Sequence, residues 1–288
     1  MTGRGFVWTG FVARVTGGTL AAALLALALT APGASADGSV AVIGGALFYV
    51  ADGGNNFPSI HQDPGNYGGP DDVWRIEDST GGSGRLPIIP SHPCFIQESG
   101  DGYPEDYYEA YCPKVVSEVD LSLGAGDDRY SHVDIGASGG LSPLTHDLFL
   151  TARAGPGNDE VSAGDAGSAL FGDEGDDLLS GSADLHNLLD GGPGADDLTG
   201  GHGDDDLLGG PDNDVIFAFN GEDFVEGGDG NDRVEDFRGR SEIDAGADKD
   251  SITSTEGGGD KIDCGTRRDK AVVHKKDKVK SCEKLKRT

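Results

Sequence analysis

Gly191 to Thr253 reads, in blocks of nine, GGPGADDLT, GGHGDDDLL, GGPDNDVIF, AFNGEDFVE, GGDGNDRVE, DFRGRSEID and AGADKDSIT. The shared pattern is Gly-Gly-x-Gly-x-Asp-x-U-x, with U a large apolar residue. With Gly181 taken as one inserted residue, the register runs back through SADLHNLLD, GDEGDDLLS, AGDAGSALF and AGPGNDEVS to Ala154. With Ser254 inserted, it runs on into TEGGGDKID from Thr255. Position eight is then Val161, Leu170, Leu179, Leu189, Leu198, Leu207, Ile216, Val225, Val234, Ile243, Ile252 and Ile262. An apolar column of that strictness places one side chain per block in a shared interior, which is the mark of a stacked repeat rather than of a disordered acidic tract.

The other positions carry chemistry. Glycine supplies backbone conformations with φ > 0 and lets carbonyls turn inward without a Cβ clash. Aspartate at position six offers a hard anionic oxygen, and calcium takes six to eight oxygens, mixing carboxylates with backbone carbonyls. The three residues after it form a short strand. Two blocks make one coil, and coils stack ~4.8 Å apart, so oxygens from successive turns can reach one ion. Without that ion the carboxylates repel, and closure of the coil is expected to require calcium.

GGPGADDLT, GGHGDDDLL and GGDGNDRVE resemble the RTX, or hemolysin-type, calcium-binding repeat family, and the order before them, a short β opening, a Cys pair and then a Val/Leu strand feeding the first Asp turn, is similar to the start of its secreted actinobacterial-type members. The resemblance implies an all-β parallel β-roll with Ca2+ held by turn carbonyls and the position-six Asp. Alternate turns share an edge. One edge carries Asp159, Asp177, Asp196, Asp214, Asp232 and Asp250, and continues to Asp269. The other carries Ser168, Asn187, Asp205, Asp223, Ser241 and Asp260, where half of the rungs have lost the charge. The first edge is therefore expected to hold most of the tightly bound calcium, with Asp205 and Asp223 framing the best site on the second. The accompanying turn glycines are Gly192, Gly194, Gly210, Gly228 and Gly230 on the first edge and Gly201 and Gly203 on the second. Asp212 and Asp248 stand where the fourth-position Gly would be and are candidate extra ligands. The rival reading is that carbonyls suffice and both edges fill alike.

Composition agrees. Glycine is 49 of 288 residues, and the formal charge is -29 from 51 acidic and 22 basic side chains. Such a surface is a poor partner for nucleic acid and a good one for divalent cations. Collagen is excluded, since glycine does not recur at every third residue.

Residues 1–36 read as a secretory signal peptide, with Arg4 and Arg14, the apolar run Leu20 to Leu29, and Ala34-Ser35-Ala36 as a cleavage site. The apolar run is short for a membrane span. Export fits the cysteines, Cys94 with Cys112 and Cys264 with Cys282. Four cysteines allow three connectivities, of which local pairing is the simplest; a zinc site is the rival, without a Cys-x-x-Cys to carry it.

The expected organisation is a signal peptide (1–36), an N-terminal β cap region (37–122), the β-roll (123–263, regular over 154–263) and a basic C-terminal cap (264–288). Within the cap region, Ser39 to Val50 reads as two short strands around Gly44-Gly45, and Asn55 to Pro70 as loop. Val115 to Leu123 reads as a strand leading into a repeat-like turn with Asp128 at position six. From Lys261 on there are 11 Lys/Arg and 4 Asp/Glu. Anchorage to an anionic extracellular polymer or cell surface is one reading of that end; a solvated cap is the other. The ending also resembles the close of that secreted family, where a Cys pair shuts the last coil. No His-Glu-x-x-His or Gly-x-Ser-x-Gly is present, and 37–122 is short for a hydrolase domain, so no catalytic activity is expected. The expected function is a secreted Ca2+-binding protein; the alternative is a calcium-dependent adhesin or matrix protein.

Overall fold

The computed structural model describes residues 39–43, 46–50, 58–63, 73–78, 95–98, 108–113, 118–124, 126–132, 149–164 and 166–288. The expected signal peptide, Cys94 and thus the expected Cys94–Cys112 bridge lie outside those residues. Every regular element among them is a strand. The amino-terminal segment supplies β1 (Ser39–Ile43), β2 (Ala46–Val50), β3 (Pro58–Asp63), β4 (Val73–Asp78), β5 (Phe95–Glu98) and β6 (Tyr108–Pro113). The coils begin with β7 (Glu118–Ser122), β8 (Arg129–His132), β9 (Phe149–Arg153), β10 (Glu160–Ser162), β11 (Gly167–Phe171) and β12 (Leu178–Ser180). They continue through β13 (Asn187–Asp190), β14 (Asp197–Gly201), β15 (Asp206–Pro211), β16 (Val215–Gly221), β17 (Phe224–Asp229) and β18 (Arg233–Gly239). The last are β19 (Glu242–Ala247), β20 (Ser251–Ser254), β21 (Lys261–Asp263), β22 (Lys270–Val273), β23 (Lys278–Lys280) and β24 (Lys284–Arg287).

From β7 on, odd-numbered strands stack in parallel in one sheet and even-numbered strands in the other. The chain alternates between the sheets, turning once at each edge, and this is a parallel β-roll. Register follows the repeat. Leu179 pairs with Leu198, Leu198 with Ile216 and Ile216 with Val234 in one sheet. Leu189 pairs with Leu207, Leu207 with Val225 and Val225 with Ile243 in the other. All twelve position-eight side chains are at most 1% exposed. Their alternation with exposed neighbours is that of strands buried on one face only.

Both repeat interruptions fall inside turns. Ser254 is in register with Asp236 at position one of the coil before, and Gly181 occupies the equivalent place against Asn187 and Gly200. The extra residue therefore bulges in the following turn, where surface backbone absorbs it without moving the apolar column.

The amino-terminal strands extend both sheets over the first coil. The β1–β2 hairpin joins β7 through a parallel β2–β7 pairing. β3 pairs with β8, and β4, β6 and β5 add an antiparallel meander. Solenoid ends need such covers. Strand β3 lies in the stretch read as loop; its place is fixed by pairing with β4 and β8, for which its sequence carries no periodic signal. At the other end Cys264 and Cys282 form a disulfide with Cα atoms 5.1 Å apart, tying the last coils together. The terminal strands β23 and β24 carry Lys278, Lys280, Lys284, Lys286 and Arg287, and β24 is exposed throughout. Charged side chains of one sign on an open edge discourage strand addition by another chain.

Candidate metal centres

Each position-six aspartate directly precedes a strand, so the pairing of that strand fixes its place. Asp159, Asp177, Asp196, Asp214, Asp232, Asp250 and Asp269 are at most 2% exposed, as are Asp205, Asp223 and Asp260 on the other edge. On the first edge one carboxylate oxygen reaches back to the coil before. Asp177 Oδ1 accepts from Asp159 N at 2.8 Å, Asp196 Oδ1 from Asp177 N at 2.8 Å, and Asp214 Oδ1 from Asp196 N at 2.9 Å. Asp232, Asp250 and Asp269 continue the ladder at 2.9 Å each. It starts at the Asp128 turn, where Asp159 Oδ1 accepts from Asp128 N at 2.6 Å, and ends on Glu283, whose Oε2 accepts from Asp269 N at 2.8 Å.

The second carboxylate oxygen has no such use. Oδ2 of Asp159, Asp177, Asp196, Asp214, Asp232, Asp250 and Asp269, and of Asp205, Asp223 and Asp277, is buried and accepts no hydrogen bond. A buried anionic oxygen without a partner is costly. Burial is the largest influence on these groups and pushes Asp159, Asp196, Asp214, Asp223 and Asp250 up to about 7. Neighbouring position-six charges add to the rise, and the accepted backbone N–H partly offsets it. Backbone oxygens meet the same spot. A Cβ on Gly191 or Gly209 would overlap both the Oδ2 of its own turn and a carbonyl oxygen one coil on, so only glycine leaves that cluster intact. Among the described residues no three His, Cys, Asp or Glu side chains form a metal cluster. The oxygen set is instead carboxylate plus carbonyl, which suits a hard cation such as Ca2+ and does not suit zinc.

The turn glycines adopt the conformations that require them: φ is 95° at Gly192, 119° at Gly210 and 114° at Gly228. Gly194, Gly201 and Gly230 are also positive, at 147°, 150° and 153°, whereas Gly203 is not among the positive-φ residues. Asp212 and Asp248 adopt the left-handed backbone of the glycines they replace, at φ 86° and 79°. Asp212 is exposed and Asp248 pairs with Arg267 at 2.9 Å, so their side chains replace glycine without joining the buried oxygens.

The second edge is built differently along its length. At Asn187 the side-chain amide does a cation's work. Its Nδ2 donates to Leu185 O at 2.8 Å, Ser182 O at 3.1 Å and Asp205 Oδ1 at 2.9 Å. Its Oδ1 accepts from Ser168 Oγ at 2.9 Å and Ser182 N at 3.0 Å. Further on, Asp205 N donates to Asp223 Oδ1 at 3.0 Å and Asp223 N to Ser241 Oγ at 3.3 Å. Asp277, unassigned from sequence, closes this edge by accepting from Gly259 N at 2.8 Å and Asp260 N at 3.3 Å. Asp277-Lys-Val-Lys and Glu283-Lys-Leu-Lys repeat the Asp-x-U-x half of the motif without its glycines, which is the signal that could have found both residues.

A family model described as RTX calcium-binding nonapeptide repeat (4 copies) matches residues 153–184, 184–216 and 199–234. Residues 153–234 carry RTX-type calcium-binding repeats. No curated protein and no solved structure matches the chain. The match covers the coils of Asp159 to Asp232, and the row of orphaned carboxylate oxygens continues beyond it to Asp250 and Asp269; the parallel roll fits calcium binding between its turns. The nine-residue register continues structurally past residue 234, through coils that keep only part of the glycine pattern, such as Gly239 and Gly246 at φ 152° and 100°.

Proposed function

We propose that this chain is an extracellular calcium-binding protein whose RTX roll closes around Ca2+ held between successive turns. The observation that carries the reading is the row of buried Oδ2 atoms without hydrogen-bond partners, one per coil along the first edge. Asp159, Asp177, Asp196, Asp214, Asp232 and Asp250 supply the carboxylates there. Asp205 and Asp223 supply those of the second edge, while Asn187 fills its own turn with an amide. When bound, the metal supplies the positive charge that these stacked carboxylates need, and the aspartates hold the turns in register through Oδ1. The protein so described is non-catalytic and acts through its calcium-dependent surface. Export through residues 1–36 delivers it to a compartment where calcium is plentiful and the disulfide is stable.

Circular dichroism of the purified protein, titrated with Ca2+ from chelator, tests this. The β signal is expected to rise with calcium. A β signal already complete in chelator, with no calcium retained on dialysis, overturns the proposal.

A further inference from the structure

The cations of the C-terminal strands fall into two groups. On the sheet of odd-numbered strands acidic side chains offset them: Lys261, opposite Lys278, meets Glu242 at 2.8 Å, and Lys280 pairs with Asp263. On the sheet of even-numbered strands β22 and β24 pair in parallel, with Lys270 opposite Lys284 and Val272 opposite Lys286. Ala271 and Val273 are buried, so Lys270 and Val272 face outward, and the register sets Lys284 and Lys286 on that same face. Leu285 aligns with Ala271 and so belongs to the interior side. The three lysines are exposed, and among the described residues no acidic side chain forms an ion pair with any of them. Neighbouring strands lie ~4.8 Å apart and alternate residues of one strand ~7 Å apart, so three ammonium-bearing side chains share one small patch. Like charges directly opposite each other cost stability. Protection of an open edge accounts for the charges of β24. It does not account for Lys270, because β22 is paired on both sides, with β20 and with β24. Ser251 stands opposite Lys270 and Thr253 opposite Val272. Both face outward, since Ile252 and Ser254 between and beside them are buried.

We propose that Lys270, Lys284 and Lys286, with the hydroxyls of Ser251 and Thr253, form a docking face for an anionic phosphodiester chain, which holds the protein on an extracellular polymer. Lysine serves phosphate as a point charge, and the two hydroxyls can donate to its remaining oxygens. The choice of phosphodiester over polycarboxylate rests on the proposed function: in a calcium-rich medium polycarboxylates chelate Ca2+, whereas singly charged phosphodiesters hold it weakly and stay free for lysine. The patch is two strands wide, which suits a chain and not a bilayer. A flat anionic surface laid on it would also meet the outward Glu160, Asp197 and Glu235 of the same sheet, and only Val272 accompanies the lysines as an apolar side chain. The formal charge of -29 does not forbid the contact. The coils without Lys or Arg reach this sheet last at β16, three strands from β22. That is ~14 Å, beyond the Debye length of about 8 Å at physiological salt.

The test is binding of the full protein at saturating calcium to immobilised poly(glycerol phosphate), read by surface plasmon resonance over a salt series. Vesicles of pure phosphatidylglycerol and a polygalacturonate surface are the comparisons. Wild type is expected to bind the phosphate polymer most tightly, with an affinity that falls as salt rises. Lys270→Gln/Lys284→Gln/Lys286→Gln is expected to weaken binding about tenfold or more and to flatten the salt slope. Lys261→Gln/Lys278→Gln/Lys280→Gln removes the same charge from the other sheet and is expected to weaken it less than about threefold. Lys284→Gln alone is expected to raise the urea midpoint, because it removes the like charge opposite Lys270; a lowered midpoint contradicts the unrelieved repulsion on which the face rests. Equal losses in the two triple variants assign binding to net charge and overturn the face. Tighter binding to the vesicles or to polygalacturonate overturns the phosphodiester chain as its occupant. Wild type that ignores the polymer overturns the docking face, and calcium retention on dialysis, measured separately, shows whether the proposed function falls with it.

Discussion

Asp214 sits mid-ladder, between Asp196, whose N–H it accepts at 2.9 Å, and Asp232, which accepts from its own N–H at 2.9 Å. Asparagine at this position keeps the acceptor and the shape and removes only the charge. The consequences in the two states have opposite sign. In chelator, at pH about 8, the carboxylate is ionised, since burial lifts it only to about 7. Two unit charges one coil apart repel by on the order of 3 kcal/mol at an effective dielectric of ~20, and screening leaves about 1 kcal/mol or more. Asp214→Asn removes that repulsion, so the variant should show more β structure than wild type without calcium. With calcium, Asp214 faces an inter-coil gap on each side. An ion present at a hundred times its dissociation constant stabilises by about 2.7 kcal/mol. Weakening two such sites therefore costs up to about 5 kcal/mol. Urea unfolding followed by circular dichroism, in chelator and at saturating calcium, reads both signs. A variant destabilised in chelator as well as in calcium would refute the reasoning, because the Asp214 charge would then not repel its neighbours in the metal-free roll.

Asn187→Asp replaces the amide by an oxygen where Nδ2 now donates to Leu185 O, Ser182 O and Asp205 Oδ1. It should lower stability in chelator and add one bound calcium per chain by equilibrium dialysis; an unchanged count means that this turn is closed for another reason. The position-six aspartates have folded pKa values raised from 3.8 to about 6 or 7. Protonation therefore favours the folded form. The metal-free roll is stabilised below the unfolded value of 3.8 and loses that stability as pH rises through 6 to 7. Circular dichroism in chelator should accordingly show β structure growing on acidification, and the calcium midpoint should rise as pH falls below about 6; a pH-independent midpoint contradicts this. Reducing Cys264–Cys282, which closes a sequence separation of 18, should cost about 3 kcal/mol by loop entropy, read as a lower urea midpoint at fixed calcium.

The roll was legible because its signal is one residue type at one spacing. Leu198 and Ile216 announce the interior whatever surrounds them. The Asp177–Asp196–Asp214 ladder was legible for the same reason. What escaped notice depended on contacts across coils. Asn187 reads in sequence as a lost charge, yet its amide occupies the hydrogen-bonding role of a cation. Asp236 reads as motif decay, since nothing in one block says that its position one faces the Ser254 of the next coil. The insertions next to Gly181 and Ser254 could be counted but not placed, because a bulge inside a turn and an extra residue before it leave the same period. The β3–β6 meander is held by antiparallel pairing on the first coil, and strands of that kind carry no spacing that marks them.

Under the proposed function, the distribution of charge along the roll sets which coils need calcium most. From Ala154 to Asp232 the chain has no Lys or Arg at all, so the carboxylates of these coils have no counter-charge of their own beyond His186 and His202. From Arg233 onward the coils carry cations that pair across neighbouring strands and turns. Arg238 meets Glu256 at 2.9 Å, Lys261 meets Glu242 at 2.8 Å, Arg267 meets Asp248 at 2.9 Å, and Lys280 pairs with Asp263. Each such exposed pair contributes little alone, but together with the disulfide they relieve repulsion at one end only. Calcium removal should therefore open the roll unevenly. Hydrogen exchange in chelator is expected to release the amides of β10 to β16 first, while β20 to β22 keep part of their protection. Added calcium should then restore protection outward from the C-terminal coils, which template the register of their neighbours through the Oδ1-to-backbone ladder. Loss of protection at one rate along the whole roll would refute this, and would place the cooperative unit in the entire solenoid rather than in its basic end.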